Sequence, residues 1–330
     1  MSWLRFVIVL VMGLAGLLVS PGAQAITGCS ADMTNLNFNL VDPSDRTAVA
    51  TINYDCTTLF GGGDQTTIRM CFAIGGGTPP STIADRRMAS SGETLPFRIY
   101  KDPAHSLAWG DNPTEPSYLE LSITYPLGFL GIGSRSGHVD VYGLIPNLSG
   151  IAAGNYSNFF SNPTLTYRYN DGPGQNDPKA CGSGPGREGN PAGFSFTALA
   201  TIPGSCTVLT ATDMDFSPSG TLYASSTGNL ASTSTIALDC TKRTAWQVGL
   251  DNGLHFDGTY RQMCVGSSPC IRYRLTTQAG QPWGNTVDLN TVPGSSTGIQ
   301  QSLTVNGTVI NQPLTEAGRY SDTIKVTLTY

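Results

Sequence analysis

The chain has little charge, little histidine and few long apolar runs. Asp, Glu, Lys and Arg supply 12% of 330 residues, and there are three histidines. Past the first twenty-odd residues no stretch is apolar enough to span a bilayer. Setting Arg5 aside with the leader described below leaves 17 basic against 23 acidic residues. That balance gives nucleic acid or an anionic membrane surface no basic patch, so neither is an expected partner. His105, His138 and His255 stand far apart and no Cys-x-x-Cys occurs, so no metal site and no cofactor is expected. The histidines have no serine or aspartate company that would suggest a triad, so the chain does not read as an enzyme.

Glycine (39), proline (21) and cysteine (8) punctuate short alternating runs instead. Residues 1–25 read as a cleaved export signal, with Arg5 as the charged start, an apolar stretch from Phe6 to Val19 and Ala23-Gln-Ala25 as the cleavage site. The mature chain is then expected to start near Ile26, secreted and soluble, with only Ile26, Thr27 and Gly28 ahead of Cys29. Eight cysteines in an oxidising compartment imply four disulfides. Matching positions in the two halves pair Cys29 with Cys56 and Cys206 with Cys240. Proximity pairs Cys264 with Cys270, which leaves Cys71 for Cys181.

An internal repeat sets the layout. Cys29, Met33-Thr-Asn-Leu-Asn-Phe38 and Val49-Ala-Thr-Ile-Asn-Tyr-Asp-Cys56 recur as Cys206, Asp213-Met-Asp-Phe216 and Thr235-Ile-Ala-Leu-Asp-Cys240. Trp109-Gly-Asp111 recurs as Trp283-Gly-Asn285, and both tryptophans read as buried anchors. Gly154-Asn-Tyr-Ser-Asn158, continuing to Leu165-Thr-Tyr167, returns as the final alternating strand from Gly318 to Tyr330. No amphipathic helix of useful length appears. Short strands between Gly, Pro, Asn and Asp clusters predict an all-β chain of two Greek-key sandwiches in tandem. The expected division is an N-terminal domain over 26–169, a Gly/Pro-rich segment over 170–193 and a C-terminal domain over 194–330. The alternating strand 194–202 could instead complete the first sandwich, and the sequence leaves that open.

Cys206-x-Val208, Met214-Asp-Phe-Ser217, an apolar strand into Cys240, Trp283-Gly284 and the Ala317-Gly-x-Tyr-Ser-Asp-Thr-Ile ending resemble the spore coat protein U domain. This is the pilin fold of archaic (Csu-type) chaperone–usher pili. The likeness is strong over residues 203–330 and more diverged over 29–169, where Cys71, Cys181, a long segment after Trp109 and Pro163 depart from the pattern. The resemblance implies an immunoglobulin-like sandwich that lacks its last strand. A periplasmic pilus chaperone fills the gap first and an adjacent pilin subunit later, at an outer-membrane usher. Ile324, Val326, Leu328 and Tyr330 are expected in the wall of that acceptor groove, the arrangement known as β-augmentation.

Three residues before Cys29 are too few to span a groove of about five pockets at roughly 3.3 Å per residue. The chain is therefore expected to accept a strand but not to donate one, as a tip adhesin does at the cell surface. Apolar residues among glycines are the candidate contacts with an abiotic or host surface: Leu127, Phe129, Leu130 and Ile132 after Tyr125, and Leu59 and Phe60 before Gly61. A lectin-like tip using Trp109, Tyr118 and Tyr125 is the alternative, as is a secreted coat or matrix protein that does not polymerise.

Overall fold

The computed structural model describes residues 25–113, 117–173, 175–180, 182–216, 230–313 and 316–330. The expected leader, Ala25 apart, lies outside the described residues, and so does Cys181. The first half supplies β1 (Ile26–Met33), β2 (Leu36–Leu40), β3 (Thr47–Leu59), β4 (Gln65–Ala73), β5 (Arg86–Ser90), β6 (Glu93–Tyr100) and β7 (Trp109–Asn112). It continues with β8 (Leu119–Pro126), β9 (Gly133–Leu144), β10 (Gly154–Phe160), β11 (Thr164–Asn170), β12 (Arg187–Glu188), β13 (Ala192–Gly193) and β14 (Phe196–Ile202). The second half supplies β15 (Cys206–Ala211), β16 (Ala231–Cys240), β17 (Ala245–Leu250), β18 (Arg261–Cys264), β19 (Cys270–Thr276), β20 (Val292–Ser295), β21 (Gln301–Val309) and β22 (Val326–Thr329).

These runs form strands because apolar residues recur at every second position and so share one face. In β3 the inward set is Ala48, Ala50, Ile52, Tyr54 and Cys56, all buried, while Val49, Asn53 and Asp55 face out. The first core lies between a sheet of order β1-β3-β9-β6-β5-β10-β14-β2 and a smaller sheet β12-β11-β4-β8, with β13 also on β11. The second core lies between β15-β16-β21-β19-β18 and β20-β17-β22. The two apolar clusters share no residue.

Duplication reaches the buried polar groups. The Trp109 indole donates to the Phe72 carbonyl (2.8 Å), and the Trp283 indole donates to that of Val248 (2.9 Å). Arg86, almost fully buried, spans the Gly75 and Trp109 carbonyls, and Arg261 spans those of Asp251, Leu250 and Trp283. Each guanidinium satisfies main-chain carbonyls inside the fold. Burial pushes Arg86 down to about 10, so it remains charged at neutral pH. Disulfides join Cys29 to Cys56, Cys206 to Cys240 and Cys264 to Cys270. Cys71 is also disulfide-bonded.

The division at residue 194 is corrected by the pairing of β14. This strand runs antiparallel to β10, from Gly154↔Ile202 to Phe160↔Phe196, and parallel to β2. Phe196, Ala198, Ala200 and Ile202 are buried in the first core, and the Phe196 ring stacks on Phe160 with centroids 4.5 Å apart. Residues 194–202 therefore belong to the first sandwich. Only Pro203, Gly204 and Ser205 separate β14 from β15.

Candidate functional sites, an apolar pole and an open slot

Three loops meet at one end of the first sandwich. Residues 60–64 follow β3, residues 127–132 join β8 to β9, and residues 171–173 follow β11. The Gly61 amide donates to the Gly131 carbonyl (2.9 Å), the Gly62 and Gly63 amides to that of Asp171, and the Leu127 amide to that of Asp64. Glycine is required at the crossing: a Cβ on Gly131 would collide with the Gly61 backbone, and Gly131 has φ +67°. Phe60 (φ 59°) and Leu130 (φ 61°) also adopt left-handed backbone. For bulky side chains this conformation costs free energy and persists only where the surroundings impose it.

The outcome is a cluster of exposed apolar side chains. Phe129 is 89% exposed, Leu130 59%, Phe60 47%, Ile132 44% and Leu59 37%. Ile26, paired with Leu59 across β1 and β3, adds a side chain at 61%. Sequence reading passed over Ile26, because register alone brings it to this end. Leu127 differs from expectation: it packs on the first core and over Gly61, and so supports the pole from beneath. Under the loops lies a buried hydroxyl network. The Thr58 hydroxyl is 2.9 Å from that of Thr27, 2.8 Å from that of Tyr125 and 3.1 Å from that of Thr66. Burial raises the Tyr125 pKa and keeps this network neutral.

The residues suggested for a sugar pocket do not assemble into one. Trp109 is fully enclosed and Tyr125 is buried in the hydroxyl network. Two short strings that can mark catalytic loops, Gly294-Ser-Ser-Thr-Gly298 and Gly184-Pro-Gly-Arg-Glu-Gly189, lack the helix that such loops require. Ser296 is buried and its hydroxyl donates to the Cys240 carbonyl.

The second site lies where the two repeats differ. Ser321 bridges to Cys264 of β18, as Ser157 of β10 bridges to Ala89 of β5. A Cβ on Gly143 would meet Leu36 and Phe38 of β2, and a Cβ on Gly307 would meet Met214 and Phe216. Residues 321–324 thus stand where β10 stands, and residues 214–216 where β2 stands. In the first sandwich β14 lies between these two elements. Among the described residues of the second, no strand does.

Burial records the difference. Leu36, Phe38, Tyr156 and Phe160 are closed off around β14, whereas their counterparts Met214, Phe216, Tyr320 and Ile324 are half-buried. Ile324 flanks the slot, and Val326 and Leu328 pack half-buried on the second core, with β22 paired to β17. Tyr330, the counterpart of buried Tyr167, is 63% exposed. At the slot's edge the Tyr273 hydroxyl donates to Asp322 (2.6 Å), and burial together with that carboxylate raises its pKa.

Two solved structures resemble the chain in shape. One is the CsuC–CsuE chaperone–tip adhesion subunit pre-assembly complex from archaic chaperone–usher Csu pili of Acinetobacter baumannii. It is 16% identical, covers 92% of this chain and 100% of that one, and has a TM-score of 0.46. Another is the CupB6 tip adhesin from Pseudomonas aeruginosa, 12% identical, covering 92% of this chain and 95% of that one, with a TM-score of 0.35. None of the curated proteins matches the chain in sequence. The spore coat protein U domain model matches twice, over residues 14–161 and 192–327. Its second match begins before β14, so the strand that closes the first sandwich reads in sequence as the leading segment of the second repeat. With most of its length inside those two matches, the chain belongs to the spore coat protein U domain family.

Proposed function

We propose that the chain is the tip adhesin subunit of a chaperone–usher pilus, exported through the periplasm to the cell surface, where it mediates surface attachment and biofilm formation. The observation that carries this reading is the contrast between the two repeats: the first sandwich is closed by β14, and among the described residues no strand takes the same place in the second. A periplasmic pilus chaperone, and after it an adjacent pilin subunit delivered at an outer-membrane usher, would add a strand there. The donor would pair with residues 321–324 on one side and residues 214–216 on the other, its alternate side chains covering Met214, Phe216, Tyr320 and Ile324.

The apolar pole lies at the end of the first sandwich remote from the second. β3 runs from Thr47 to Leu59 at the pole, and β9 runs back from Gly133 to Leu144. A subunit held through its second sandwich therefore presents Phe60, Phe129, Leu130 and Ile132 outward. Fully burying such a side chain is worth roughly 1.5–3 kcal/mol, so a few of them can hold one tip on an apolar surface despite ordering costs. Many pili would then act together.

As a test, Phe60, Phe129 and Leu130 are replaced together by serine in cells that assemble the pilus. Attachment to polystyrene should fall at least tenfold at equal surface display. Equal attachment would refute the surface-binding role. Co-expression with a pilus chaperone should give a one-to-one complex that is lost on deleting residues 320–330, and an unaffected complex would refute the acceptor role.

A further inference from the structure

We infer that β14 is the strap through which tension crosses from the second sandwich to the first, and that it is the first element of the first sandwich to yield. The apolar pole and the second sandwich sit at opposite ends of the first. The covalent path between them leaves at Ile202, four residues before Cys206. Pulling on the second sandwich draws β14 along its own axis, from Phe196 toward Ile202. Ladder hydrogen bonds lie across that axis. The bonds to β10 and β2 are thus strained together in shear, with Thr201 Oγ1 donating to Asn155 Oδ1 (2.9 Å) and the Asn35 carboxamide accepting from the Thr197 amide.

The joint has a second, weaker connection. The Ala153 amide donates to the Lys242 carbonyl (2.8 Å), Lys242 pairs with Glu93 (2.9 Å), and Arg243 donates to the Ser90 carbonyl. The ion pair is partly exposed, so it adds little. These contacts orient the two sandwiches at rest and part before β14 moves. At the pole, tension enters through β9, which β3 clasps along its whole length from Thr47↔Leu144 to Thr58↔Gly133. β14 is held over only seven residues, Phe196–Ile202, so it slides before β9 does. Its exit removes Phe196, Ala198, Ala200 and Ile202 from the first core, and that sandwich then fails as a unit.

The test needs only two attachment points, so it is independent of what the pole binds and of what fills the slot. The full-length exported chain is stretched in a single-molecule instrument between click-reactive residues placed at positions 129 and 209, so that only residues 206–209 of the second sandwich, at the start of β15, lie in the pulled path. The first lengthening should be at least the seven residues of β14, roughly 2 nm or more. A pin is then added as Ser157→Cys with Leu199→Cys, which face each other across β10 and β14. With the pin oxidised, the first lengthening should be lost at the force that produced it before. A control pin, Thr67→Cys with Thr124→Cys across β4 and β8, lies off the path and should leave it unchanged. A first lengthening that persists at the same force with β14 pinned overturns the inference, and so does one abolished equally by the control pin.

Discussion

Replacing Phe196 by alanine tests the placement of β14 directly. The ring is 3% exposed, stacks on Phe160 and belongs to the first core. Truncating a buried Phe typically costs about 3–5 kcal/mol, part of it the loss of the stacked partner. For a domain the size of the first sandwich, 1 kcal/mol moves a melting midpoint by roughly 2–4 °C, so its transition should fall by about 6–20 °C. Hydrogen exchange read by mass spectrometry identifies the affected half. Amides of β4 and β9 should lose protection, while those of β16 and β21 should keep theirs. Loss confined to β16 and β21 would refute the assignment and return residues 194–202 to the second domain.

Other expectations follow from buried polar groups. Thr58→Val strips the hydroxyl shared by Thr27, Tyr125 and Thr66 and should cost roughly 1–3 kcal/mol by urea titration, with Thr58→Ser retaining most of the stability. Arg86→Lys keeps the charge but cannot span the Gly75 and Trp109 carbonyls together. A similar loss confined to the first transition is expected, and an unchanged midpoint would contradict the bridging role. Tyr273 is held protonated in the folded state, its pKa raised above the ordinary tyrosine value. The folded chain therefore binds that proton more tightly than the unfolded chain. The resulting stability is fully present below about pH 10 and is lost as the pH rises further. Urea midpoints of the second transition should fall above that pH, and Tyr273→Phe should flatten the fall.

Much of this could be seen in the residues. The repeat, the alternation of strands such as β3 and the two anchoring tryptophans follow from local pattern, because burial on one sheet face imposes a period of two. The glycine-rich apolar loops are also legible, since Phe60 and residues 127–132 break strand alternation, with Leu59 at the last position of β3. What alternation does not carry is the identity of a strand's neighbours. Phe196, Ala198, Ala200 and Ile202 show that residues 194–202 have one apolar face, but either core could receive it. The choice depends on contacts with β10 and β2, roughly 40 and 160 residues earlier. Leu127 was misplaced for a related reason: position in an apolar loop does not say which side chain turns under. The Thr58 network was hidden because three of its members are threonines on different strands, brought together only by register.

The same contrast in closure predicts where the isolated chain is weakest. Among the described residues no strand covers half-buried Met214, Phe216, Tyr320 and Ile324 as β14 covers their counterparts in the first core. The second sandwich should therefore melt first and be the half that associates with other chains. A synthetic peptide copying residues 193–202 should occupy the slot, because its inward Phe196, Ala198, Ala200 and Ile202 already fill the equivalent position in the first repeat. At a hundredfold excess over its dissociation constant the peptide adds about 2.7 kcal/mol, enough to raise the second midpoint by on the order of 10 °C. The first transition has no vacancy to fill and should not move. A peptide that shifts the first midpoint, or neither, would show that the two repeats do not differ by one missing strand.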